Sequence, residues 1–336
     1  MNHKISIVMP VYNAELTIKV CIDSIINQTF TNWLLIIVDD GSTDESKSIC
    51  EKYMSLDSRI QFICQVNAGV SVARNRGLDL VQSDLLIFMD SDDILPKNSL
   101  ELLYKGKNAD ISFINVARFC LDNSKIEGNM TSFVDNGFFE HLTLADIIIH
   151  NDILSAGTPF AKLYKTQIIR DNNIRFDKRI KNHEDHLFFY DYLLHCNSMY
   201  LCPEIGYYWT FKQRSTSLSH LVPHHNNMLI AAEGFIKRYS NLFSHFHLTD
   251  KAYISRITTE YGVGSYRAAC YALYHYRVSK SNRMFFLKEQ VPVMRKLFMK
   301  YGYKPKVKRY KLLYMFLCLP IPVVFKDILL LKLWRK

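Results

Sequence analysis

The sequence predicts an α/β fold, a mostly parallel sheet flanked by helices, followed by a C-terminal helical extension. Three observations carry this. Short apolar, β-rich runs alternate with helix-spaced segments through residues 1–116, the pattern of βαβ units. Two of those runs, Leu34–Val38 and Leu85–Met89, have no polar face, as strands buried on both sides require. Beyond residue 220 apolar residues recur at helical spacing and basic residues dominate.

Taken in order, Ile5–Met9 is a strand ended by Pro10. Val11-Tyr12-Asn13 leads into a helix over Ala14–Asn27, where Leu16, Val20, Ile22, Ile25 and Ile26 recur at helical spacing. Leu34–Val38 ends at Asp39-Asp40. There Gly41 makes a turn, and Ser42 or Thr43 is expected to cap the helix carrying Ile49 and Tyr53. Ile60–Cys64 is a third strand and Asn67-Ala68-Gly69 a loop. Val70–Leu80 is a helix containing Arg74, Asn75 and Gly77. Leu85–Met89 then runs into Asp90-Ser91-Asp92-Asp93. Asp110–Val116 is a strand, whereas residues 117–150 carry no readable pattern. Asn182-His183-Glu184-Asp185 opens a helix whose apolar face is Leu187, Phe188, Tyr192 and Leu193 or Leu194. Met228–Phe243, Tyr253–Tyr276 and Met284–Met299 read as helices.

The 336 residues, 49% of them hydrophobic, can form a sizeable core, with no internal repeat or low-complexity tract. The net charge of +10 is unevenly spread: residues 251–336 hold 19 Lys/Arg against 3 acids. No nucleic-acid recognition motif accompanies them, so no nucleic-acid partner is expected. Eight cysteines without a Cys-x-x-Cys pair argue against a zinc site or disulfide scaffold. The first residues pass straight into a strand without a signal-peptide pattern. A reducing, cytoplasmic location is the expectation.

The chemistry concentrates at two strand ends. Asp90, Asp92 and Asp93 crowd where the chain leaves the sheet, and such crowding is unfavourable unless a cation neutralises it. Oxygen-only ligands suit Mg²⁺ or Mn²⁺ shared with substrate phosphates, and open α/β sheets bind ligands beyond their carboxyl strand ends. Asp39-Asp40 forms a second acidic end, with Arg74 between the two in sequence. Together they suggest a nucleotide diphosphate held through a metal. Asp39 or Asp40 can accept base N–H groups, and Arg74 can meet base or phosphate. In isolation each has a plainer reading: a solvated acidic turn, a surface-helix arginine and, for Tyr12, ordinary packing.

Val-Met-Pro-Val-Tyr-Asn, Val-Asp-Asp-Gly-Ser-Thr-Asp, Asn-Ala-Gly-Val-Ser-Val-Ala-Arg-Asn-Arg-Gly and Phe-Met-Asp-Ser-Asp-Asp occur in that order within the first 93 residues. Over roughly residues 4–215 the chain resembles the family-2 inverting glycosyltransferases of the GT-A fold. The resemblance implies a catalytic domain over 1–220, a nucleotide-sugar half (1–116) and an acceptor half (117–220), and a donor that is a nucleotide diphosphate sugar, expected to be a UDP-sugar. It implies that Pro10, Tyr12, Asp39 and Asp40 hold base and ribose, with Asn13, Glu15, Asn67, Arg74 and Ser91 in the same nucleotide-sugar site. Asp90 and Asp92 then belong to the metal and sugar-diphosphate site, Asp92 as the main ligand. Glu184-Asp185 sits where the family carries a Glu-Asp pair whose second residue is the general base, so Asp185 takes that role and Glu184 lies beside the acceptor or diphosphate. Alone, the pair could equally be helix N-terminal charge. Arg214 and Ser215 fall in an Arg/Ser-rich loop, read either as contacts to acceptor or diphosphate or as structural. His183 and His186 are three apart, but the chemistry does not favour zinc.

The family pattern fades in the basic extension, residues 221–336. Lys304–Lys311 is basic, and Leu312–Phe325 has 14 residues without charge, too few to span a bilayer. With Lys326–Lys336 it suits a segment (304–336) lying on an anionic membrane surface. Its alternative is a helical cap with solvated lysines. The expected enzyme is peripheral on the inner face of the cell membrane, with a lipid-linked, polyprenyl-carried or polysaccharide acceptor in capsule, O-antigen or exopolysaccharide synthesis. A nucleotidyltransferase is disfavoured because Pro10–Glu15 offers neither a glycine nor a basic residue for a phosphate loop. A silent carbohydrate- or lipid-binding module remains the other alternative.

Overall fold

The computed structural model describes residues 4–212, 224–276, 278–301, 313, 316–317 and 319–333. The chain divides into two compact units: Met1–Lys178 with Glu184–Thr216, and Arg179–His183 with Ser217–Lys336.

The first unit begins with three βα repeats: β1 (Ile5–Val11), α1 (Ile18–Ile26), β2 (Trp33–Asp39), α2 (Ser46–Leu56), β3 (Ile60–Cys64) and α3 (Val70–Leu80). It continues with β4 (Leu85–Phe88), α4 (Ser99–Lys105), β5 (Ile111–Cys120), β6 (Lys125–Asn129), β7 (Gly137–Glu140) and α5 (Leu144–His150). Then come β8 (Lys162–Lys165), α6 (Thr166–Asp171), α7 (Glu184–Leu193) and β9 (Ser198–Phe211).

Among the described residues the nine strands form one sheet in the order β3-β2-β1-β4-β8-β5-β9-β7, with β6 on β5. The first four strands are parallel neighbours, as right-handed βαβ crossovers produce. Every residue of β1, β2 and β4 is buried, which is why those runs lack a polar face. The remaining half is mixed. β8 pairs antiparallel with β4 and β5, while β5 runs parallel to β9 through two register shifts. Pro10 is tolerated inside β1 because the register with β4 stops at Val8 opposite Phe88.

Two local expectations need correction. The first apolar helix begins only at Ile18 and buries Ile18, Cys21, Ile22 and Ile25. Leu16 and Val20 are instead 78% and 52% exposed, since a 3.6-residue period allows one buried stripe. Neither Ser42 nor Thr43 caps α2, whose N-cap position is Glu45 with no side-chain cap bond. Both hydroxyls face Asn13, and Asp44 Oδ1 accepts from the Ser46 N–H at the helix start. The unreadable stretch 117–150 holds an edge hairpin and a short helix. All five residues of β6 are exposed, so no burial pattern marks them.

The second unit is helical: α8 (His225–His245), α9 (Lys251–Ile257), α10 (Gly264–His275), α11 (Lys280–Phe285), α12 (Val291–Tyr301) and α13 (Val323–Leu333). Two segments expected as single helices each contain a wide π-type turn, at Thr258–Val263 and Phe286–Gln290. None of the described helices is long and apolar enough to cross a membrane. The basic run 304–311 lies outside the described residues, as do Arg214 and Ser215.

Candidate active site

The carboxyl ends of β1 and β2 carry two loops that brace each other. The Asn13 N–H donates to Ser42 Oγ (3.0 Å) and Asn13 Oδ1 accepts from the Thr43 N–H (2.9 Å). Glu15 N–H donates to Asp44 Oδ2, and Glu15 Oε2 accepts from the Glu45 N–H, both at 3.0 Å. Asp39, buried at the end of β2, accepts from the Ser42 N–H at 3.2 and 3.3 Å. Asp40 turns to the next loop, accepting from the N–H of Ala68 and of Gly69 (both 2.8 Å) and from Gln65 Nε2 (2.7 Å). This fixes Asn67-Ala68-Gly69 ahead of α3. Gly41 is required at the turn: its φ is +75°, and a Cβ would meet the Asn67 nitrogen at 2.9 Å. Pro10 is buried, while Tyr12 (51% exposed) and Asn67 stand open to solvent.

The β4 end divides labour among its acids. Asp93 is buried and structural: Oδ2 accepts from the Tyr207 hydroxyl (2.6 Å) and Oδ1 from the Thr210 N–H (2.9 Å). Thr210 Oγ1 also donates to the Asp92 carbonyl and the Asp90 N–H donates to the Tyr207 hydroxyl, so β9 fastens the acidic loop along its length. Burial, then the charges of Asp90 and Asp92, push the Asp93 carboxyl well above the usual range. The Asp92 carboxylate accepts no hydrogen bond from a side chain among the described residues. Protein crowding beneath it and the charge of Asp90 push its carboxyl up to about 6.

Arg74 joins this end to the acceptor half. Its guanidinium is buried, donates from Nη2 to Asp90 Oδ1 at 2.8 Å, and lies 3.6 Å from Glu184 Oε1 through Nη1. Burial alone would lower its basicity, but Asp90 and Glu184 outweigh it and raise the pKa. Nε and Nη1 have no hydrogen-bond acceptor among the described residues, an expensive state for a buried charged group.

Glu184 and Asp185 open α7, which is held against β4 by aromatic packing. Phe188 stacks on Phe176 (centroids 4.1 Å apart) and meets Phe88 edge-on at 5.5 Å. Asn75 on α3 pins Phe176 through both its backbone N–H and its carbonyl. Gly157 permits the first turn of α7 to approach, since a Cβ there would lie 2.1 Å from His186. His186 instead contacts the Leu154 carbonyl at 2.8 Å through Nε2. Burial, then the charge of Asp185, push Glu184 up to about 7, against the pull of Arg74. Asp185 is half-buried. Its Oδ1 accepts from the His186 N–H at 2.7 Å, and Oδ2 accepts nothing from the described residues.

Residues 6–155 match the family described as Glycosyl transferase family 2. A Haemophilus influenzae protein described as an uncharacterized glycosyltransferase is 34% identical over 193 residues, covering 56% of this chain and 71% of that one. The chain belongs to glycosyltransferase family 2. Glycosyltransferase GlyA of Streptococcus pneumoniae serotype 4 is 33% identical over 229 residues, 65% of this chain. This chain covers only 32% of GlyA's length. The crystal structure of Staphylococcus aureus TarS residues 1–349 in complex with UDP-GlcNAc superposes with a TM-score of 0.63 at 22% identity, over 98% of this chain and 89% of that one. That likeness establishes the GT-A arrangement of the glycosyltransferase. TarS itself is described as a poly(ribitol-phosphate) beta-N-acetylglucosaminyltransferase.

Within this glycosyltransferase the structure brings Asp90, Arg74 and Glu184 into direct contact, with Asp185 next in the chain and Asp92 two residues from Asp90. Asp39, Asn13 and Glu15 share the β1/β2 end, and Asp40 acts on the loop leading to Arg74. Among the described residues no three His, Cys, Asp or Glu side chains form a ready-made metal cage. The donor set nonetheless fits Mg²⁺ or Mn²⁺ bound with substrate: Asp92 offers an unengaged carboxylate, and such ions take most ligands from phosphates and water. Sequence reasoning missed Tyr207 and Thr210, which fix the acidic loop, and Lys162, whose buried ammonium lies within electrostatic reach of Asp185. The lone lysine within the apolar run Phe160–Leu163 was the available signal.

Proposed function

We propose that the protein is an inverting, metal-dependent glycosyltransferase. It moves a sugar from a nucleotide diphosphate sugar, a UDP-sugar, to a lipid-linked or polysaccharide acceptor of a bacterial surface glycan, at the inner face of the membrane. The observation that carries this is the buried Arg74 guanidinium, bridging Asp90 and Glu184 with two nitrogens still lacking acceptors, beside the base candidate Asp185. The UDP-GlcNAc bound to the TarS structure supports the donor class. The basic end of the chain supports an anionic membrane surface as partner.

In this reading Tyr12, Asn13, Glu15, Asp39 and Asn67 receive base and ribose, with Asp40 setting the loop and Pro10 the strand end. Asp90 and Ser91 meet the ribose or sugar. Asp92 would hold the cation, and a bound Mg²⁺ or Mn²⁺ would neutralise charge on the diphosphate. Arg74, through its ion pairs with Asp90 and Glu184, fixes the sugar-diphosphate side of the site against the side that carries the base. Asp185 Oδ2 takes the acceptor hydroxyl proton as that oxygen bonds the anomeric carbon. The bond to the diphosphate breaks on the opposite face, which inverts the centre.

The test is turnover of purified full-length protein with a panel of UDP-sugars and Mn²⁺, with and without chelator, beside Asp185→Asn. Donor hydrolysis and transfer should require the cation and fall by about 10²–10⁴ in the variant, while nucleotide affinity by calorimetry stays within about twofold. Undiminished turnover in Asp185→Asn removes the residue from the mechanism.

A further inference from the structure

The helical unit contains a cavity of about 550 Å³ formed by the second π-type turn, α12 and the start of α13. Its lining has an unusual composition. Lys288, Arg295, Lys296 and Lys326 contribute four cations, and among the described residues no Asp or Glu lines it. The rest is apolar apart from backbone, with Val291 and Leu319 among the walls. The size matches small-molecule sites. Lys288, Arg295 and Lys296 are exposed, whereas Lys326 is buried and donates to the Leu317 carbonyl at 2.6 Å. Met299, which also lines the cavity, is 74% exposed, and on α13 Phe325 (60%) and Leu329 (46%) expose apolar side chains.

Cations over apolar walls, without a balancing acid, match an anionic head on a hydrocarbon chain. A purely polar anion leaves the walls wet, and a neutral lipid leaves the three exposed charges, Lys288, Arg295 and Lys296, unanswered. We propose that this cavity receives the phosphate head and upper acyl chain of an anionic bilayer phospholipid, docking α12 and α13 on the membrane surface. The proposal rests on the membrane reading above and sharpens it to one site. α13 is a firm wall for such a site. Asp327 on it is buried and takes bonds from Arg283 Nε (2.8 Å) and the Tyr274 hydroxyl (3.0 Å).

The experiment is flotation of the full-length protein with vesicles of phosphatidylglycerol in phosphatidylcholine, and with phosphatidylcholine alone. The wild type should float with the anionic vesicles only. Lys288→Glu/Arg295→Glu/Lys296→Glu should weaken that binding by about a hundredfold or more, on a scale near 1 kcal/mol per surface charge. A control, Lys19→Glu/Lys47→Glu/Lys52→Glu, reverses three exposed charges of the other unit and should bind as wild type. Leu319→Asp, which spoils a wall without touching a cation, should also weaken it.

Binding to anionic vesicles that survives the first triple variant overturns the site while leaving the membrane reading standing. No binding to either vesicle overturns both. Equal losses in the two triple variants reduce the effect to net charge and overturn the site, as does release from the vesicles by millimolar inorganic phosphate at constant ionic strength. Donor hydrolysis in vesicle-free solution, expected unchanged in the first triple variant, reports on glycosyl transfer separately.

Discussion

Each unit buries an arginine against carboxylates, and the two are finished differently. Arg283 gives Nε and Nη2 to the two oxygens of Asp327 (2.8 and 3.2 Å) and Nη1 to the Val278 carbonyl. Burial alone would raise Asp327, but the bonds from Arg283 and Tyr274 prevail and hold its carboxyl below the usual range. That pair is a closed lock. Arg74 faces two carboxylates yet makes one hydrogen bond, leaving Nε and Nη1 without acceptors. A protein folding only for stability has no reason to keep such a group, because the unmade bonds are costly when dry. The contrast separates an arginine whose hydrogen bonds are complete from one whose hydrogen bonds are not.

The largest way to break this contrast is Arg74→Met. Donor turnover should fall by about 10²–10³, and affinity for the nucleoside diphosphate should weaken by tenfold or more, since a charge-assisted contact is removed. Arg74→Lys should recover little, because one ammonium cannot reproduce the fork. Steady-state kinetics and calorimetry with the free nucleotide check both. If Arg74→Met binds nucleotide as the wild type does, the unfilled donors are not a ligand site. Arg283→Met is the mirror experiment. It should cost about 3–5 kcal/mol in urea unfolding, because Asp327 is left buried with only Tyr274. Nucleotide affinity should stay put. A variant that loses affinity without losing stability reverses the assignment of the two arginines.

How much of this could be read from the chain depends on what each residue's environment leaves in the sequence. Strands β1, β2 and β4 are buried on both faces, so they appear as uninterrupted apolar runs. β6 has only edge pairing and no burial, and it left no trace. Strand-end acids were visible because carboxylates beside apolar strands are conspicuous, but their division was not. Asp93 and Asp92 look alike in sequence. Only Tyr207 and Thr210, more than a hundred residues away in the chain, make the first structural and leave the second unengaged. Arg74 was legible as a candidate, and its partner Glu184 was legible as half of a pair. That they lie 3.6 Å apart follows from aromatic packing of α7, which no local pattern encodes.

A third buried cation sharpens the comparison through a smaller effect. Lys162 has no carboxylate within ion-pair distance among the described residues. Its Nζ donates to the Thr158 carbonyl at 2.6 Å and faces the Phe189 ring at 4.9 Å. Burial pulls its pKa down to about 7, with Asp185 resisting. The ordinary value is 10.5, so between the two pH values the unfolded chain binds more protons than the folded one. Stability from this residue therefore rises as pH climbs through that window, and is flat below it. Lys162→Met should remove the slope. Relative to the variant, the wild type should gain about 2 kcal/mol between about pH 7 and about pH 9, measured by urea unfolding across that range. Parallel curves for the two proteins would mean that Lys162 stays charged in the fold, and that carbonyls and ring faces can stabilise an ammonium as well as a carboxylate does.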